Sequence, residues 1–124
     1  MVIISAGNSG EIAVSVSRTD RPQARIAFSA SLARLVGLGE FEYIALDHDE
    51  RARTLTFHPC KKQTFHGGSA YKLVRDGGDR GGKKRVDGRA TYVRKTALTF
   101  LPDGKLRLVR PPRFGKPFAV SYAP

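Results

Sequence analysis

The stretch EIAVSVSRTDRPQARIAFSASLARLVGLG, residues 11–39, decides the fold because its apolar period changes partway along. From 11 to 18 the period is two: Ile12, Val14 and Val16 alternate with Ala13, Ser15 and Ser17, as in a strand with one buried face. TDRP at 19–22 breaks the run and ARIAFSA at 24–30 resumes it, so a hairpin is expected. Leu32, Leu35 and Val36 then take up helical spacing, behind Ser29 or Ser31 as cap and ahead of Gly37 or Gly39 as stop. One short helix is predicted over 29–39, and a helix this short needs a sheet to lean on.

Working outward, most of the remaining chain reads as β. FEYIALD (41–47) and ARTLTFH (52–58) are strands joined by the charged turn DHDER (47–51), and YKLVR (71–75) is a short strand after the broken connection 58–70. ATYVRKTALTFL (90–101) is strand-like, PDG (102–104) turns, and KLRLVR (105–110) returns. PPRFGKP (111–117) is excluded from a central strand by its prolines, which lack the donor. FAVSYA (118–123) is expected as a last edge strand, or as part of a C-terminal arm over 111–124 that docks on another subunit. The expected fold is a mainly β, compact antiparallel domain spanning 1–124 with one short helix near 30–38, and α+β is the alternative.

The order of apolar positions in RIAFSASLARLVGL, followed by the charged-tip hairpin EYIALDHDERARTLTF, resembles the AbrB-like swapped-hairpin DNA-binding unit over residues 24–59. That resemblance implies a strand-exchanged dimer and a duplex-binding transcription regulator; it assigns no DNA contact to Arg25 or Arg34.

Charge bounds the partner. The chain carries a net +11, yet residues 1–60 hold six Lys and Arg against seven Asp and Glu, and residues 61–124 hold sixteen against four. The second half thus carries a net +12. A one-sided cationic field points to a polyanion, with nucleic acid first. One cysteine, Cys60, cannot form an internal bridge, so a reducing compartment is expected. The opening MVIISAGNSG has neither the charged start nor the apolar length of a leader, and no apolar run approaches a membrane span. A cytoplasmic protein is expected, in the host cytoplasm if the source is viral.

Aromatic residues are interleaved with those cations. Phosphates are neutralised by Lys and Arg without regard to sequence, and an exposed ring offers a face to an unstacked base. Duplex DNA hides its base faces, so rings with charge suit single strands. Period-two alternation turns Lys105 and Arg107 outward opposite Leu106 and Leu108, and places Tyr92 and Arg94 on one face of their strand. Lys72, Arg75, Arg80, Lys83, Lys84, Arg85, Arg89, Arg94, Lys105 and Arg107 are the candidate phosphate contacts, with Tyr71, Tyr92 and Phe114 for stacking; Phe100 and Phe118 are expected in the core. The glycine-rich cationic segment 76–89 is expected to be a flexible arm that folds on a phosphate backbone.

Chemistry-bearing clusters are weak. DHDE (47–50) sits at a hairpin tip, where neighbouring side chains diverge into bulk water. His58, Cys60 and His66 lack the paired spacing of structural zinc, and GGDRGGKK lacks the Ser or Thr that ends a P-loop. A non-enzymatic protein with no metal or cofactor is expected. The leading reading is single-stranded DNA binding with little sequence specificity, in transcription or replication, by a homodimer or higher oligomer. The other two are the duplex regulator and a basic protein that modulates an acidic protein such as a polymerase.

Overall fold

The alternating runs become an antiparallel hairpin, β1 (Val14–Arg18) and β2 (Gln23–Phe28), with Val16 opposite Ile26 and both buried. The computed structural model describes residues 12–18, 20–75 and 88–122. Helix α1 (Ala30–Val36) follows, then β3 (Tyr43–Asp49), β4 (Thr54–Cys60), the small hairpin β5 (Thr64–Phe65) and β6 (Gly68–Ser69), β7 (Tyr71–Lys72), β8 (Val74–Arg75), β9 (Arg89–Arg94), β10 (Gly104–Leu108) and β11 (Phe118–Ser121). The domain is mainly antiparallel β, with strand order β7-β3-β4-β11-β10-β1-β2-β9-β8 in its large sheet. Its first and last strands are two halves of one bent segment: β7 pairs with β3, and β8 with β9. The sheet therefore curls into a nearly closed barrel, which leaves few edge groups unpaired.

Inward residues fill the barrel. Phe28 from one wall meets Phe57 edge-on at 5.1 Å and Phe118 edge-on at 5.8 Å, while Phe57 and Phe118, opposite each other across β4 and β11, stack at 5.2 Å. Val14, Ile26, Ile44, Leu55 and Val120 surround these rings and are fully buried.

Each mouth has a plug. At one, Ser29 caps α1 by accepting the Leu32 amide at 3.2 Å, and its hydroxyl also accepts the Ala13 amide at 3.0 Å. Leu32, Ala33 and Val36 point into the barrel, and Gly37 ends the helix in the left-handed region, with φ 79°. At the other mouth, the 3-10 turn Lys95–Leu98 buries Leu98, and Leu101 follows it inward. Arg18 ties this plug down by donating to the carbonyls of Leu98 and Leu101 while pairing with Asp103.

Several expectations need correction. The run 90–101 is not one strand: β9 stops at Arg94, opposite Gln23, where β2 begins and its partner ends. Residues 118–121 form neither an edge nor an arm. Phe118 and Val120 alternate inward, and β11 lies between β4 and β10 with both sides paired. The turn after β3 is also shorter than DHDER, because pairing extends to Asp49 opposite Thr54. Within it, His48 turns to the barrel mouth and stacks on Phe100, which itself packs against the core, whereas Asp47 and Asp49 take the outer face.

Candidate nucleic-acid interface

Directly paired residues of antiparallel strands share a face, so the printed register reads out the barrel's exterior. Across β1, β2 and β9, one outer row runs Ser17, Arg25, Tyr92; the next pairs Gln23 with Arg94; on the other side Lys105 of β10 continues through Ser15 and Ala27 to Ala90. Ala27 and Ala90 of that row are buried, whereas Tyr92, 45% exposed, stands beside the short Ser17 and the guanidinium-bearing Arg25. Ser17, Arg21, Gln23, Arg25 and Tyr92 line an open cleft of about 600 Å³, with no carboxylate among them.

That arrangement can hold a flat, unpaired base on the Tyr92 ring with phosphate oxygens near Arg21, Arg25 and Arg94. Arg75 and Arg89 lie directly opposite each other across β8 and β9, but in register with the buried Phe28 and so on the opposite face from Tyr92.

The candidates from sequence divide accordingly. Tyr92 and Arg94 meet on one face, with Lys105 a few strands away and Arg107 beyond it on β10; all four are exposed. Lys72 and Arg75 are exposed on the closing segment. Arg89 is half-buried, donates to its neighbour's carbonyl, Gly88, at 3.1 Å, and extends towards Gly39 near the helical plug. Tyr71 is different: it lies opposite the buried Ile44, half-buried against the core, so its ring is not a free platform. Phe114 is 60% exposed, but one edge lies against Gly37 at the end of α1. Arg80, Lys83, Lys84 and Arg85 fall outside the described residues.

Arg21, Gln23 and Arg25 belong to this face and were missed. The first half of the chain is slightly acidic as a whole, which hides three residues that face outward together. Alternation alone marks Gln23 and Arg25 as outward, opposite in phase to Ala24, Ile26 and Phe28. Only the pairing of β2 with the distant β9 sets them beside Tyr92.

Burial pushes the Cys60 thiol above its ordinary value, an effect partly offset by a backbone hydrogen bond from Ala45. Among the described residues no cluster of three His, Cys, Asp or Glu is placed to hold a metal, and no helix is long and apolar enough to cross a membrane. Comparison with protein-family models, curated proteins and solved structures gives no match, so the site is read from its own geometry and charge.

Proposed function

We propose that this chain is a non-enzymatic nucleic-acid-binding protein that takes single-stranded DNA on the outer face of β1, β2 and β9 with little sequence specificity. The observation that carries the reading is the exposed Tyr92 ring, opposite Arg25 and one row from Arg94, in an open cleft with Ser17, Arg21 and Gln23. The ring supplies sequence-tolerant stacking, and the cations supply counterion release. Arg94 on the same face and the exposed Lys105 on β10 extend the field. Paired DNA would offer this face phosphates but no base face, which is why single strands are favoured.

The test is a binding series on equal-length single-stranded DNA, duplex DNA and RNA across a range of salt. Single-stranded DNA is expected to bind tightest. If six to ten phosphates are neutralised, its affinity should fall by roughly 10³–10⁵ between about 50 and 200 mM salt. A salt-independent affinity rejects the proposal. Preferential binding of duplex at one defined sequence favours the AbrB-like regulator instead, and a stoichiometric protein partner that survives nuclease treatment favours the modulator.

A further inference from the structure

Across the barrel from Tyr92, the outer faces of β4 and β11 floor a groove of about 900 Å³ with Thr54, Thr56 and Ala119. Its wall is the 109–117 loop, where Val109 and three prolines present apolar surface and Arg110, Arg113 and Lys116 present charge. No carboxylate among the described residues lines it.

The other flank has the opposite sign. Asp47 lies directly opposite Thr56, which lies opposite Ala119; Asp49 lies opposite Thr54, then Ser121, then Arg107. One face therefore runs from acid on β3 to base on β10 and its following loop, over roughly 14 Å at about 4.8 Å per strand. The turn beyond, with Glu50, Arg51 and Arg53, adds no acid on balance, so the polarity rests on Asp47 and Asp49. Asp49 also accepts the Ala52 amide at 3.0 Å and is partly committed to its turn.

A face of mixed sign selects its occupant. A nucleic-acid backbone carries one sign and meets repulsion at Asp47 and Asp49. An acidic peptide satisfies the loop cations but opposes the same two carboxylates. A second copy of this chain, turned about a two-fold axis over β4 and β11, sets acid against base twice and covers both apolar walls with each other. Such self-complementarity is what an isologous interface requires. We infer that the protein forms a two-fold homodimer through the outer face of β4 and β11, with Asp47 and Asp49 of each copy facing the Arg110, Arg113 and Lys116 loop of the other. The Tyr92 faces then point away from the axis, so dimerisation and nucleic-acid binding are separable.

The test is sedimentation of the nuclease-treated full chain over a concentration and salt series. The wild type is expected to dimerise, more weakly as salt rises. Asp47→Arg, and separately Arg110→Glu with Arg113→Glu, should each weaken self-association at least about tenfold, because like charges then meet. Mixing the two variants restores opposite charges and should yield a heterodimer. The milder substitutions Asp47→Asn and Arg113→Gln, both on exposed side chains, should give smaller losses in the same direction and guard against misfolding of the reversals. Thermal melts matching wild type establish that each variant is folded. A wild type that stays monomeric, reversals that associate as the wild type does, or a mixture of folded variants that does not associate overturns the inference.

Discussion

The hydroxyl of Thr91 on β9 donates to the main-chain carbonyl of Lys72 at 2.9 Å, across the seam where the barrel closes. Thr91 is fully buried, and its strand meets this segment through only a two-residue pairing with β8, so the bond supports one of the shortest junctions in the sheet. Thr91→Val keeps the shape and deletes the donor. It should cost about 1–2 kcal/mol in chemical denaturation. Amide exchange should rise first over 71–75, and uniform exchange across all strands would argue against a seam.

Gly37 is required twice over. Its φ of 79° disfavours any residue with a Cβ, and that Cβ would lie 2.5 Å from the edge of the Phe114 ring. The Gly115 amide, donating to the Val36 carbonyl at 2.8 Å, holds the loop in place. Gly37→Ala should destabilise by more than the roughly 1–2 kcal/mol of left-handed strain. In a Phe114→Ala background the loss should shrink towards that strain alone, a coupling that a double-mutant cycle by urea denaturation reads directly.

Arg18 satisfies two carbonyls and one carboxylate with a single planar group. Lysine cannot reproduce that fork. Arg18→Lys should therefore loosen the 95–101 plug almost as much as Arg18→Ala, by about 2 kcal/mol. Asp103→Ala should cost less than about 1 kcal/mol, because its carboxylate is exposed and solvent-screened. Thermal melts of the three variants check the order.

On the proposed interface, Tyr92→Ala should leave the melt within about 0.5 kcal/mol of wild type, since the ring is exposed. Single-stranded DNA affinity should drop by about 1–3 kcal/mol, and duplex affinity far less. Arg94→Gln should weaken both and lower the slope of affinity against salt by about one. Tyr71→Ala is expected to act in the opposite way, lowering stability through lost packing. Anisotropy titrations paired with melts separate these cases.

The raised Cys60 thiol makes stability depend on alkaline pH. Below the ordinary thiol pKa of about 8.5, folded and unfolded chains both keep the proton and stability is full. As pH rises, the unfolded chain releases its proton first, so stability falls until the folded thiol also ionises. Cys60→Ser should flatten this part of the curve between about pH 7 and 10, measured as the difference in denaturation free energy from wild type.

Local rules made much of the fold legible. Period-two runs marked most of the longer strands; the Ser29 cap and Gly37 stop bracketed α1; and the inward phase of Leu106 was plain because alternation needs no partner to be read. What failed was everything that depends on who lies alongside. FAVS is short and follows prolines, so it read as an edge, yet it sits mid-sheet because β4 and β10 both present free ladders to it. TALTFL has strand propensity, yet it turns because β2 ends and Leu98 and Leu101 gain more by covering the barrel mouth. The candidate site follows the same division. Charge and exposed rings are properties of residue types, and they pointed to Tyr92, Arg94, Lys105 and Arg107 from composition and phase. The joining of Arg25 to Tyr92, and of an acidic strand to a basic loop on the far side, arises from strand pairings between distant segments. Loop-closure entropy and shared burial decide those pairings, and no local pattern records them.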